Sequence, residues 1–209
     1  MAQKDVGNKI PIYKLKTTDE IMRYYDDWSL ENKYDQDMVD WNYSGPKETV
    51  EVFKKYAKNK DIKIYDAGCG TGLVGVELKK FGYNKYDGVD LSQKLLDLVP
   101  KNLYQNLSKA NLNKPIDLND NTYDAVICVG TFTFGHVKPK ALDEFIRITK
   151  NRGLICFTIN EGIHEEYGFD KKIEELEAQN KWKKIEFFKS NYIASKDINA
   201  RLGLYEVNK

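Results

Sequence analysis

The residues of this chain with the most chemical promise are Asp66-Ala67-Gly68-Cys69-Gly70-Thr71-Gly72 and, further on, Asp90. Three glycines on alternate positions let the backbone take positive φ and let a ligand approach it without meeting a Cβ. A turn of that kind at the start of a helix presents backbone N–H groups to a carboxylate or a sugar oxygen. Asp90 follows Gly70 by 20 residues, where both oxygens of a carboxylate can accept hydrogen bonds from ribose 2′- and 3′-hydroxyls. A glycine cluster alone is a weak sign. The cluster, a strand before it, a helix after it and an acid at that spacing together outweigh the plainer reading of a tight turn with a surface Asp.

Such a turn needs elements to hold it. Residues 62–67, with Ile62, Ile64, Tyr65 and Ala67, have strand character and stop at the glycines, and 73–81 read as the helix that follows. The pattern repeats with a strand over 86–91, a helix capped by Ser92 and running to about 98, and a weaker strand over 107–112. The unbroken apolar run 125–130, bounded by Asp124 and Thr131, is expected for a central strand buried on both faces. A helix over 140–150 leads through Asn151-Arg152-Gly153, read as a turn, into another buried strand over 154–159, and a helix follows near 171–180. The tail changes character: 184–193 and 202–207 read as strands with no helix between them, hence an antiparallel pair.

Upstream, Thr17 and Glu20 have the spacing of a capping box ahead of Ile21, Met22, Tyr24, Tyr25 and Trp28 on a helical period. Core packing explains that aromatic face more readily than ligand contact. Ser44-Gly45-Pro46 then precedes a helix over 47–58. Strands alternating with helices predict an α/β fold, one Rossmann-like domain over 1–209 with a mostly parallel seven-stranded sheet, an antiparallel C-terminal pair and helices on both faces. Residues 1–45 are expected as a helical lid over a core of 46–209. Ligands of such sheets bind at the carboxyl ends of the strands, where the glycine turn and Asp90 fall.

The 209 residues suit one ordinary domain. With 33 Lys plus Arg against 32 Asp plus Glu, a net charge of +1 gives no bulk electrostatic reason to expect nucleic acid or membrane as partner. No apolar run approaches the roughly 20 residues that span a bilayer, and residues 1–9 lack the apolar core of a signal peptide, so a cytoplasmic protein is expected. Cys69, Cys128 and Cys156 lie in or beside apolar stretches without Cys-x-x-Cys spacing or a nearby histidine pair, which leaves no metal ligand set. They read as reduced, buried thiols, and packing is favoured over a catalytic thiol at Cys69.

Asp66 to Gly72, with Gly88-Val89-Asp90-Leu91-Ser92, resembles the first two cofactor motifs of class I S-adenosylmethionine-dependent methyltransferases. Within that superfamily, Tyr25-Asp26-Asp27-Trp28, Tyr34-Asp35-Gln36-Asp37 and Tyr123-Asp124-Ala125-Val126-Ile127 resemble the methyltransferase-like group named after the Williams–Beuren syndrome region. The resemblance implies S-adenosylmethionine as cofactor, its methionine end held by Asp66 and the backbone of Gly68 and Gly70, with Cys69 and Gly72 completing the turn. It implies Asp90 on the ribose, Leu91 against adenine, Asn111 and Leu112 near the adenine amino group, Val129 beneath the ligand and Tyr34 over the methionyl carboxylate.

That cofactor carries a charge of about +1, which carboxylates attract and which a phosphate-binding turn would not favour. A pyrophosphate turn is usually Gly-x-Gly-x-x-Gly, whereas here the third glycine comes one residue earlier and an acid precedes the first. A nicotinamide-dependent oxidoreductase is thereby disfavoured. A regulatory protein that binds S-adenosylmethionine without catalysis is the other reading compatible with an intact turn. For a hydroxyl or protonated amine acceptor a general base contributes roughly 10²-fold or more, and His136, after the central strand, is the first candidate. His164, Glu161 and Tyr24 follow. The acceptor is expected to be a small molecule in an aromatic-lined pocket built from 1–43, 131–138, 160–170 and 191–201.

Overall fold

Thr17 opens helix α1 (Thr18–Trp28) with a reciprocal cap, its hydroxyl accepting the Glu20 N–H at 3.3 Å while Glu20 accepts the Thr17 N–H at 3.0 Å. The computed structural model describes residues 9–15 and 17–209; residues 1–8 and Lys16, which belong to the expected lid and the expected signal-free start, lie outside the described residues. Helix α2 (Lys33–Asp40) enters from two left-handed residues, Glu31 and Asn32. Sequence periodicity misses it because Met38 is its single buried residue and no apolar stripe forms. Helix α3 (Gly45–Tyr56) starts earlier than expected, with Pro46 in its first turn, where a missing N–H costs nothing.

The core then alternates: β1 (Ile64–Ala67), α4 (Leu73–Lys80), β2 (Tyr86–Asp90), α5 (Gln93–Asp97), β3 (Leu107–Lys109), β4 (Tyr123–Phe132), α6 (Ala141–Ile148), β5 (Thr149–Asn160), α7 (Phe169–Ala178), β6 (Trp182–Ile193) and β7 (Ile198–Val207). Seven strands form one sheet in the order β3-β2-β1-β4-β5-β7-β6. The first five are parallel, and β7 runs antiparallel between β5 and β6. β3, exposed along all three residues, and β6 form the two edges.

Both faces of the sheet are covered. Val126 and Cys128 of β4 join a core with Leu142 and Phe145 of α6 and Phe169 of α7, while Ala125 and Ile127 join a second core with Phe53 of α3 and Leu78 of α4. Burial on alternate faces leaves β4 no polar alternation, the pattern of an apolar run. The expected turn at Asn151-Arg152-Gly153 is instead a bulge inside β5: pairing passes from Tyr123↔Thr149 to Ala125↔Leu154, with Arg152 at φ 62°. Gly153 is required there because a Cβ would sit 2.6 Å from the Asp124 carbonyl oxygen. All three cysteines are free and buried. Among the described residues no helix is long and apolar enough to cross a membrane.

Candidate functional site

Strand order reverses between β1 and β4, and a cleft opens at that switch point, the place where sheets of this kind bind ligands. The glycine turn forms its floor. The turn does not present the expected shelf of free N–H groups. The N–H groups of Gly68 and Cys69 both go to the Val89 carbonyl at 2.8 Å, and that of Gly70 goes to Asp90 Oδ2 at 2.9 Å. Satisfying them within the protein ties the turn to the end of β2. The glycines differ in what they require. A Cβ on Gly68 (φ 83°) would lie 2.1 Å from Thr131 Oγ1, whereas one on Gly70 (φ 54°) would meet nothing within 4 Å and would project into open space.

Of the residues singled out in sequence, Tyr34, Gly68, Gly70, Asp90 and Leu91 line this cleft. So do Asn111, Leu112, Val129 and His136. Asp66, Cys69 and Gly72 do not. Gly72 (φ 94°) caps α4 and leaves room for Leu103, and Cys69 packs in the core beneath the turn, where burial pushes its thiol well up and away from nucleophilic use. Asp66 is fully buried, with Tyr104 donating to its Oδ2 at 2.6 Å and Oδ1 without a partner among the described residues. Burial raises its pKa to about 7, against the lowering effect of Tyr104.

Asp90 faces the cleft with each carboxylate oxygen already accepting one backbone N–H, Oδ2 from Gly70 at 2.9 Å and Oδ1 from Ser92 at 2.8 Å. The Leu91 N–H adds a third backbone contact to the carboxylate. Burial raises its pKa, and those backbone donors oppose the rise. Asn111 Oδ1 accepts the Asn113 N–H at 2.9 Å. Asn113 in turn donates to the His136 carbonyl at 3.1 Å and accepts the Lys138 N–H at 2.8 Å, so it clamps the loop after β4. Sequence reasoning passed over Asn113; its only signal was its place two residues beyond Asn111.

His136 is held at both nitrogens. Nδ1 lies 2.5 Å from the Phe134 carbonyl, which can only accept, so Nδ1 carries the proton and Nε2 accepts from the Tyr25 hydroxyl at 3.0 Å. Burial pushes its pKa down to about 4, and Lys138 adds to the fall. The other base candidates lie elsewhere: Glu161 is engaged by Asn199 and Lys189, His164 rests near the Phe187 ring, Tyr24 packs edge-on to Trp28, and none of the three lines the cleft.

A second, smaller cavity adjoins the first, and Tyr25, Tyr34 and Gly130 wall both. Tyr13, Trp28, Trp41, Tyr43 and Tyr192 also line it, with the Tyr43 hydroxyl donating to Tyr192 Oη at 3.2 Å. Three of the four segments expected to build an acceptor pocket contribute, through residues of α1, α2 and their flanks, Thr133, and Tyr192 with Ile193; residues 160–170 line neither cavity. The covering helices are tied down by two short bonds, Thr71 Oγ1 to Asp35 at 2.6 Å and Trp28 Nε1 to Asp37 at 2.6 Å.

Comparison with known proteins agrees with this architecture. The methyltransferase-domain family matches residues 65–157. Human methyltransferase-like protein 27 is 31% identical over 168 residues, covering 77% of this chain and 67% of its own. An uncharacterized protein of Methanocaldococcus jannaschii is 32% identical over 183 residues, covering 83% and 76%. Among solved structures, the chain that pairs with the Trm112 methyltransferase activator of Haloferax volcanii is similar with a TM-score of 0.68 at 14% identity, covering 88% of this chain and 98% of that one. A SAM-dependent methyltransferase of Thermotoga maritima gives 0.61 at 17%, covering 87% and 98%. With the glycine turn, the acid ending β2 and the sheet order in place, these similarities make the chain a member of the class I S-adenosylmethionine-dependent methyltransferases.

Proposed function

We propose that this methyltransferase modifies a small molecule held in the aromatic chamber, with S-adenosylmethionine lying in the adjoining cleft. The junction of the two cavities carries this reading: Tyr25, Tyr34 and Gly130 belong to both, so occupants of each meet there.

The residues present fit the cofactor. Gly70 leaves open space where any side chain would intrude, and the Asp90 carboxylate, facing the cleft at the end of β2, suits the ribose hydroxyls. With its N–H groups committed, the turn offers carbonyl oxygens, including that of Gly68, to the methionyl ammonium, and the buried carboxyl of Asp66 lies beneath the turn. Leu91 supplies an apolar wall for adenine, Asn111 and Leu112 stand by its amino group, Val129 lies beneath the ligand, and Tyr34 covers the methionyl carboxylate. Residues 9–45 act as the lid, latched by Asp35 on Thr71. When bound, the cofactor supplies a methyl group already activated on a sulfonium, so holding an acceptor in line accounts for much of the rate.

The test is transfer of label from methyl-tritiated S-adenosylmethionine into a cell extract containing both metabolites and macromolecules. Label should appear in the small-molecule fraction with one S-adenosylhomocysteine formed per product. Label confined to protein or RNA overturns the assignment, and cofactor that binds yet stays unconverted favours the purely regulatory reading.

A further inference from the structure

We propose that the acceptor is a small uncharged alcohol or phenol, and that Tyr25 and His136 act in series as the path for its hydroxyl proton. This rests on the reading of the aromatic chamber as the acceptor site. Three observations carry it.

The first is the hydrogen-bond order. Nδ1 of His136 donates to the Phe134 carbonyl, so Nε2 holds the only lone pair of the ring, and Tyr25 Oη donates to it at 3.0 Å. The imidazole is therefore screened from the chamber by the phenol. Tyr25 walls both cavities, whereas His136 lines the cleft alone. A group in the chamber reaches the base through Tyr25.

The second is charge. The described residues that line the chamber include no Asp, Glu, Lys or Arg. Burial holds the hydroxyls of Tyr25, Tyr34, Tyr43 and Tyr192 above their ordinary pKa, so all four stay protonated. A carboxylate acceptor would lose its hydration and find no cation, which is costly in such surroundings. A neutral hydroxyl compound finds aromatic walls and hydroxyl partners.

The third concerns proton removal. Aromatic faces would also attract an ammonium ion, but an ammonium must lose a proton before its nitrogen can attack. An alkylammonium with a pKa of about 10.4 outbids His136, at about 4, by roughly 10⁶-fold. An oxygen acceptor loses its proton as the new bond forms, when the oxygen has become strongly acidic, and a weak base suffices. In that step a lone pair on the acceptor oxygen forms the C–O bond while the electron pair of the breaking S–CH₃ bond stays on sulfur, leaving a neutral thioether. The acceptor proton passes to Tyr25 Oη as the Tyr25 proton passes to His136 Nε2, and the imidazolium returns a proton to water when product leaves.

Matched probes test this: p-cresol, benzylamine and benzoate, similar in size and differing in the reacting group. Calorimetry on protein saturated with S-adenosylhomocysteine should show p-cresol binding, and S-adenosylmethionine should then yield its methyl ether, with no product from the other two. Tyr25→Phe should slow ether formation by about 10²-fold or more while leaving S-adenosylmethionine affinity within threefold. It should also move the NMR titration of the His136 ring upward from about 4, because the phenol that stabilises the neutral imidazole is gone. Preferential methylation of benzylamine or benzoate, no binding of p-cresol to the S-adenosylhomocysteine complex, or an unchanged rate and titration in Tyr25→Phe would each overturn the proposal. Failure of S-adenosylhomocysteine itself to bind would instead overturn the cofactor assignment beneath it.

Discussion

Replacing Asp90 by Asn alters the floor of the cleft while barely changing its shape. The carboxylate accepts the Gly70 N–H on one oxygen and the Ser92 N–H on the other. An amide keeps one acceptor and turns a donor toward the other N–H, so one bond becomes a donor–donor contact and the negative charge disappears. In the proposed complex the same exchange removes one of two ribose acceptors. A hydrogen bond to a charged group contributes about 1.5–3 kcal/mol, which puts the loss of S-adenosylmethionine affinity at about 10- to 150-fold. The effect on folding is expected to be smaller than that on binding, because Asp90 is only partly buried and one of its two backbone hydrogen bonds survives in the amide. Isothermal titration of wild type and variant at one fixed ionic strength, with a thermal melt of each, separates affinity from stability. A folded Asp90→Asn protein whose Kd stays within twofold of wild type would refute the ribose assignment.

The two glycines of the turn should fail in different ways. Gly68→Ala drives a methyl group into Thr131 at positive φ and should lower the melting temperature sharply, whereas Gly70→Ala should cost about 1–3 kcal/mol of backbone strain and mainly reduce cofactor affinity, as melts and titrations will report. Equal melting temperatures for the two variants would contradict the geometry. For Asp66 the folded pKa of about 7 lies above the unfolded value near 4, so the stability its protonated form provides is complete below pH 4 and is lost as pH rises to 7. Asp66→Asn lacks that dependence. Unfolding free energies from urea titration should therefore move in the variant's favour by up to about 1.4 kcal/mol per pH unit between 4 and 7 and run parallel above, and a constant offset across the range would sink the argument.

Much of the sheet could be read in advance because parallel strands buried on both faces become apolar runs, and 125–130 is such a run. Ser92 was legible as a cap for a local reason, its hydroxyl accepting the Leu95 N–H three residues on. The glycine turn and Asp90 were legible as a pair since β2 brings them within hydrogen-bond reach. What escaped was non-local. Asp66 and Cys69 carry the same motif signature as Gly68 and Gly70, but the turn points them into the protein, and no periodicity reports that. Helix α2 has too little apolar surface to announce itself. The chamber joins Tyr25 and Tyr43 to Tyr192, from opposite ends of the chain, so no spacing rule connects them. The role of Tyr25 in holding His136 is likewise a contact across 111 residues.

The two ends of the sheet bear on how the molecule lives in a crowded solution. Unpaired strand borders invite other chains to add on, and the first step toward aggregation is often such an addition. One border here, Leu107–Lys109, is three residues long and gives an incoming strand little to grip. The other is twelve residues long, but it carries Lys183, Lys184 and Lys189, and near its far end Tyr43 bridges to Ile193 while Ser44 donates its N–H to the Tyr192 carbonyl. A second copy adding to this edge would have to bury those ammonium groups and strip that segment away, so neither border offers an easy seat for a further strand.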